Sequence, residues 1–232
     1  MALSRRNPCE LAQLRDFPMP DPTPTYVPLG HYDLAINVRK VADDFLLPKG
    51  YTFLKEEYGT AKDGNRMFGL LTFKNGGEDL GFLVGFRNSY DKSMAAGIAC
   101  GAQVFVCDNL CFSGEITVLK KHTKNIKEEL FDELIVAMHR SADNFHEIQE
   151  SLGRYKSIGL TDDDGYRMIG LLLGRAILTP TMANAALRAW RAPEYKEFEE
   201  RNVYSLYSAV TESLKLATPD RMMECHINAH KV

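Results

Sequence analysis

Polar residues flank a run of small and apolar residues in the stretch GFRNSYDKSMAAGIACGAQVFVCDNLCF, at positions 85 to 112. The flanking residues are Arg87, Asn88, Ser89, Asp91, Asp108 and Asn109. Asparagine and aspartate side chains hydrogen-bond nearby backbone amides, so one interpretation is a turn that ends a strand. The other is a polar site, formed where the two flanks meet at one sheet edge beside an apolar floor. An enzyme would use Asn88, Asp91 and Asn109, although no nucleophile paired with a base is evident there.

A second candidate is a basic cluster near the middle of the chain. Its lysines are Lys120, Lys121, Lys124 and Lys127, with His122 among them. Cations at the start of a helix oppose the helix dipole, so their presence favours a use such as binding the phosphates of nucleic acid. A solvated basic face is the alternative. The formal net charge of the chain is −3, so any surface that binds nucleic acid must be local.

The chain carries no signature of a metal or cofactor site. Its five cysteines lack the spacing of a structural zinc site, and we predict reduced, buried thiols rather than disulfides. A P-loop and a dinucleotide-binding fingerprint are absent. The aspartates at 162–164 would suit a metal-dependent nuclease, but they are better explained as a cap that complements a helix dipole. We therefore predict no metal and no cofactor.

The polar stretch resembles a motif pair in a family of uncharacterised proteins encoded by bacteriophages and plasmids. Residues 87–91 are similar to the family's arginine-asparagine-serine-histidine-aspartate, and residues 106–109 to its valine-cysteine-x-asparagine. Residues 202–212, NVYSLYSAVTE, resemble a third pattern that leads into a helix. Tyr90 and Lys92 depart from the family's usual histidine and glycine. Tyr90 could not replace that histidine as a base, because a phenol stays protonated at neutral pH.

The resemblance implies an origin in a mobile element and a link to replication, recombination or counter-defence. It leaves three alternatives for function. The first is an accessory protein that binds nucleic acid or anneals single strands, and the second is a counter-defence protein that binds a host defence protein or a nucleotide signal. The third is the enzyme considered above. The partners implied are DNA or a host defence protein.

The spacing of apolar residues changes along the chain and indicates which elements position these residues. Apolar residues at helical spacing predict a first helix over 32–46, and short aromatic and branched segments then predict an antiparallel sheet of about five strands. Gly97 and Gly101 predict a weakened or bulged strand. After Lys124 an apolar stripe predicts a long helix of roughly 35 Å. The stripe comprises Ile126, Leu130, Leu134, Met138, Ala142, Phe145 and Ile148.

These elements predict an α+β fold, in which an antiparallel sheet is backed by a long helix and followed by a helical subdomain. We divide the chain into a proline-rich arm (1–30), a sheet domain with the long helix (31–150) and a helical subdomain (151–232). Thr161 and Asp164 resemble a capping box at the start of a helix, and Thr181, Pro193 and Asn202 punctuate further helical stretches that end near Leu216. The arm is either a loosely ordered terminus or a contact between subunits of a homo-oligomer. That contact would use Phe17, Met19, Tyr26 and Val27.

No apolar run of signal-peptide or membrane-spanning length occurs in the sequence. We therefore expect a cytoplasmic protein with no membrane partner, located in the host cytoplasm if a phage encodes it.

Overall fold

A computed structural model of the chain describes residues 7–75, 80–104 and 109–230. The sheet has six strands in the order of the sequence: β1 (Pro8–Cys9), β2 (Tyr51–Ala61), β3 (Arg66–Asn75), β4 (Leu80–Ser89), β5 (Ala96–Val104) and β6 (Asn109–Lys120). Every neighbouring pair is antiparallel. The predicted α+β class and the antiparallel sheet are confirmed, and the short β1 is an addition.

Glycines lie at two irregular places in the sheet, a shift of strand register and a tight turn. The pairing of β5 with β6 shifts register between Ala99 and Gly101, so the irregularity predicted near Gly101 is present, but the extra residues lie in β6, whose partners jump from Thr117 to Phe112. The turn between β2 and β3 contains three successive residues with positive φ, Lys62, Asp63 and Gly64. A Cβ on Gly64 would lie 1.8 Å from a ring carbon of Phe17, so only glycine lets the arm pack here.

The helices are α1 (His31–Leu46), α2 (Ile126–Ser157), α3 (Asp162–Gly174), α4 (Pro180–Arg191), α5 (Val203–Leu214) and α6 (Pro219–His230). Short 3₁₀ segments span Leu11–Arg15, Leu47–Lys49 and Lys196–Phe198. None of the helices in the described ranges is both long enough and apolar enough to cross a membrane.

The core between the sheet and helices α1 and α2 is built from alternate strand residues. Met67, Leu71 and Phe73 of β3 point to this face and pack in one apolar cluster with buried residues of both helices. The predicted stripe of α2 is confirmed where side chains are described, since Ile126, Leu130, Leu134 and Met138 are buried. The stripe's last three members, Ala142, Phe145 and Ile148, lie outside the described side chains. With 32 residues, α2 spans about 48 Å, which exceeds the predicted length.

Helix α6 was not predicted, and it covers the opposite face of the sheet. It packs across β2, β3, β4 and β6, while Cys225 joins the apolar cluster formed by α3, α4 and α5. Phe68, Leu70 and Leu83 point away from the α1 and α2 side and are fully buried. The last helix therefore closes a second core and ties the helical half to the sheet.

The helix starts follow the predicted capping chemistry with one change. Thr161 and Asp164 form a reciprocal capping box at the start of α3, as the sequence predicted. Asn202 caps α5 by accepting from the backbone N–H of Ser205 at 2.9 Å. The cap of α4 is Thr179, with Pro180 at the first helical position, so Thr181 is the second residue of this helix.

The proline-rich arm folds onto its own sheet. Tyr26 is buried, and the backbone N–H of Val27 donates to the carbonyl of His122 at 2.9 Å. Phe17 contacts the β2–β3 turn as described above, whereas Met19 is 54% exposed. A role of the arm in joining subunits stays a prediction.

Candidate functional site

Asn88 lies at the end of β4 and connects three separate parts of the chain. Its side-chain amide donates to the carbonyl of Leu29 and to Nδ1 of His31 at 3.0 Å, and its Oδ1 accepts from Nε2 of His122 at 2.7 Å. All three side chains are buried, and Asn88 and His31 are fully so. We call Asn88, His31 and His122 the histidine–asparagine cluster. It joins the arm, the start of α1 and the junction between β6 and α2.

The hydrogen bonds of His31 determine which ring nitrogen carries the proton. Because Nδ1 accepts from Asn88, the ring proton is on Nε2, which donates to the carbonyl of Gly64 at 3.0 Å. The ring also stacks on Tyr90, with ring centroids 3.8 Å apart. Burial lowers the pKa of His31 from 6.5 to about 4, and burial also lowers the pKa of His122. Both rings therefore favour the neutral form at neutral pH.

Tyr90 has a structural role at the position where the family pattern has histidine. Its hydroxyl accepts from the backbone N–H of His31 at 2.8 Å, at the first residue of α1. Tyr26 closes the same region from the arm, since its hydroxyl lies 3.3 Å from the carbonyl of Ser89 and 3.4 Å from that of Tyr90. Burial raises the pKa of Tyr90, so the phenol is a neutral hydrogen-bonding group and not a base at neutral pH.

The turn after β4 has the local bonding expected for Asn-Ser-Tyr-Asp. The hydroxyl of Ser89 donates to the carbonyl of Met94 at 2.9 Å and accepts from its N–H at 3.1 Å. Asp91 accepts from the N–H and the hydroxyl of Ser93 and from Nε of Arg66, the last at 2.8 Å. Burial acts to raise the pKa of Asp91, but these hydrogen bonds outweigh it and hold that pKa below its usual value. Lys92 adopts φ +60°, where the family pattern has glycine.

The predicted meeting of the two polar flanks is wrong. Asn109 pairs with Val104, and Val104 pairs with Leu80 at the start of β4, eight residues before Asn88. At strand spacing this separates Asn109 from Asn88 by roughly 27 Å. The β4–β5 and β5–β6 connections lie at opposite ends of the sheet, because a meander reverses the chain at each turn. Asp108 lies outside the described residues.

The remaining member of the predicted set, Arg87, lies on the other face of the sheet from Asn88. A Cβ on the paired residue Gly97 would lie 3.4 Å from Nε of Arg87, so the guanidinium stem packs over this glycine. The enzyme alternative required Asn88, Asp91 and Asn109 in one place. Asn88 is enclosed, Asp91 is held in a turn and Asn109 is distant, so these three groups do not form a common site.

His31 and His122 were not predicted as partners of Asn88. They are 57 and 34 residues away from it in the chain, and no local pattern links them. One usable signal existed for His122, which interrupts a run of lysines at the point where a strand gives way to a helix. His122 is buried, whereas Lys121 and Lys124 beside it are exposed, so the histidine has a structural role that these lysines do not share.

The lysines of the basic cluster fall into two groups. Nζ of Lys120 lies 2.9 Å from a carboxylate oxygen of Glu133 and 3.8 Å from one of Glu129, so this residue links β6 to α2. The hydrogen bond to Glu133 raises the pKa of Lys120. Lys121, Lys124 and Lys127 are exposed, and none of them forms an ion pair with any described residue. We call these three lysines the junction lysines.

The fold adds Lys92 to the surroundings of the junction lysines. Nζ of Lys92 lies 4.7 Å from the ring centroid of Tyr26, and that ring lies 5.3 Å from the ring of His122. The β4–β5 turn and the β6–α2 junction are therefore neighbours. The acidic residues nearest in sequence, Glu128 and Glu129, occupy the first turn of α2.

The chain matches no family model, and no curated protein or solved structure is similar to it.

Proposed function

We propose that this chain is an accessory nucleic-acid-binding protein of a phage or plasmid, and that the junction lysines contact phosphates. The observation that carries the proposal is the exposure of Lys121, Lys124 and Lys127 on one corner of the sheet without ion pairs to described residues. Phosphate contacts supply most of the sequence-independent affinity of such proteins. Strand annealing is the finer activity that we propose within this class.

The charge distribution supports a local contact rather than a general attraction. The net charge of −3 disfavours binding by long-range attraction to the whole molecule. Lys92 and the junction lysines provide four cations where the turn after β4 meets the start of α2. The histidine–asparagine cluster lies directly beneath, and it holds the two segments that carry these lysines in a fixed relation.

The origin in a mobile element rests on the motif resemblance alone. Lys92 occupies a left-handed conformation, which is consistent with a glycine at this position in the family pattern. Asn88 uses its amide to hold three segments together, so the asparagine of the motif stabilises the fold.

The test is the salt dependence of binding to a labelled oligothymidylate of about 30 nucleotides and to a duplex of the same length. Replacing Lys121, Lys124 and Lys127 with Gln should reduce the slope of log affinity against log salt by about 2 to 3, because each lost phosphate contact removes about 0.7 to 0.9. A control variant replaces exposed lysines elsewhere, Lys40, Lys49 and Lys196, with Gln and should keep the slope.

Two results would refute the proposal. One is the absence of binding at about 50 mM salt, and the other is a slope that changes equally in both triple variants. Annealing is tested separately by mixing complementary labelled strands. Binding without any acceleration of annealing would reject the finer activity and keep the broader one.

A further inference from the structure

The helical half contains a pocket of about 400 Å³ between α4, α5 and the 3₁₀ segment Lys196–Phe198. This volume is in the range of pockets that hold small molecules. The walls are mainly apolar, with alanines from both helices and the side chains of Tyr195 and Phe198. The two rings pack edge to face, with centroids 6.0 Å apart, so they form one rigid aromatic wall. The pocket is remote in sequence from the junction lysines.

Ser205, one of the residues that line this pocket, carries a buried hydroxyl without a hydrogen-bond partner among the described residues. Ser205 is 2% exposed, and its Oγ makes no hydrogen bond to any described part of the chain. Buried hydroxyls are nearly always hydrogen-bonded, and serine in a helix can bond to a carbonyl one turn earlier. Ser205 does not use that option. The oxygen has less than 1 Å² of exposed surface, so a ligand atom in the pocket becomes its partner once the hydroxyl turns towards the pocket.

The charged groups around the pocket favour an anion. Arg188 and Arg191 lie three residues apart on the last turn of α4, so both reach the same side of the helix. Arg188 has no ion pair to a described residue. Among the residues whose placement is described, Arg191 bonds to a neutral group, since its Nε donates to the hydroxyl of Tyr166 at 3.4 Å and its guanidinium lies 5.0 Å from that ring.

Two carboxylates also line the pocket, and their negative charge must be set against the positive charge of the arginines. Glu212 is already paired with Lys215, whereas Glu194 is exposed at the rim. The two arginines therefore exceed the one carboxylate that lacks a cationic partner. Ser205 is in the first turn of α5, where the backbone amides give a partial positive charge. The local charge balance is thus positive although the whole chain is acidic.

We propose that this pocket binds a small molecule that combines a flat aromatic ring with one anionic group. The ring packs on Tyr195 and Phe198, and the anionic group binds Arg188 and Arg191, whose guanidinium groups suit phosphate and carboxylate oxygens. The hydroxyl of Ser205 bonds to a polar atom of the ring. Nucleoside monophosphates and aromatic carboxylic acids share this chemistry.

The test titrates the purified full-length chain with the four ribonucleoside monophosphates in one arm, and with indole-3-acetate and 4-hydroxybenzoate in the other. Binding is measured by calorimetry and by ligand-observed NMR. We expect a Kd below about 1 mM in at least one arm. Arg188→Gln should weaken that binding by about tenfold or more, because Arg188 forms no ion pair with a described residue that would compete with the ligand. Ser205→Ala should weaken it by about threefold to tenfold.

The control is Arg167→Gln, which removes an exposed arginine of α3 outside the pocket and should leave the Kd unchanged. Thermal unfolding of each variant verifies that the helical half is intact. Binding in only one arm identifies the source of the ligand. The proposal is overturned if neither arm binds at about 5 mM, or if Arg188→Gln and Ser205→Ala both bind as tightly as the parent chain.

Discussion

Acidification should destabilise the fold through His31 before it affects most carboxylates. The ring is fully buried, and its Nδ1 already accepts a hydrogen bond from Asn88, so a second ring proton has no acceptor. A protonated ring would also face the buried His122. Burial therefore lowers the pKa of His31 from 6.5 to about 4.

The sign follows from the number of protons that each state binds. Below pH 6.5 the unfolded chain binds a proton on this ring that the folded chain refuses, so stability is present above pH 6.5 and is lost as pH falls towards 4. The linkage relation gives a loss of about 2 kcal/mol between pH 7.5 and pH 5, and about 3 kcal/mol once the pH is below 4. The lowered pKa of His122 acts in the same direction.

Urea denaturation at about pH 7.5 and about pH 5 measures this loss. His31→Gln should be less stable than the parent chain at the higher pH, but its loss on acidification should be smaller by about 2 kcal/mol. His139→Gln, which removes an exposed histidine of α2, serves as the matched control and should lose as much as the parent chain. Equal losses in the parent chain and in His31→Gln would refute the assignment of a neutral, buried ring.

Two further stability predictions follow from close contacts. Asn88→Ala should lower the free energy of unfolding by about 1 to 3 kcal/mol, because buried partners lose their hydrogen bonds, whereas the exposed Asn37→Ala should change it by less than about 0.5 kcal/mol. Equal midpoints in urea for these two variants would contradict a structural role of Asn88. Within α3, Gly165→Ala should destabilise by about 1 to 3 kcal/mol, since its Cβ would lie 2.5 Å from the ring of Trp190. Gly170→Ala meets no atom within 4 Å and should stabilise by about 0.5 to 1 kcal/mol, and thermal melting that ranks the two glycine variants in the reverse order would disprove the packing described.

Periodicity was sufficient to predict the elements whose apolar residues face one side. Helix α1 begins one residue before the predicted range and ends with it, because its apolar residues recur every three to four positions. The antiparallel sheet was predictable because its strands are short and rich in aromatic and branched residues. The capping box at Thr161 was predictable because it depends on residues three apart. Helix α6 was missed because its sequence, PDRMMECHINAH, carries no simple apolar stripe, and two of its buried residues, Cys225 and His226, are not aliphatic.

The candidate site could not be assembled from the sequence because its contacts are long-range. Which end of the sheet Asn109 occupies depends on the number of reversals in the meander, and not on the residue types beside it. The role of Lys120 depends on Glu133, which lies in the second turn of α2 and becomes its partner only when the helix folds back on β6. Residue type identified Asn88 as significant, but its partners depend on the tertiary fold.

The position of α6 has a consequence for how the chain is synthesised. Phe68, Leu70 and Leu83 belong to strands that form among neighbours in sequence, so the sheet can pair early, while residues 219–230 are still to be translated. Until then one apolar face of the sheet has no cover, and exposed surfaces of this kind attract chaperones, proteases or other nascent chains. A ribosome that stalls before Pro219 would release a chain whose sheet is paired but has one uncovered apolar face. Complete translation of α6 therefore decides whether the chain folds or becomes a substrate for quality control.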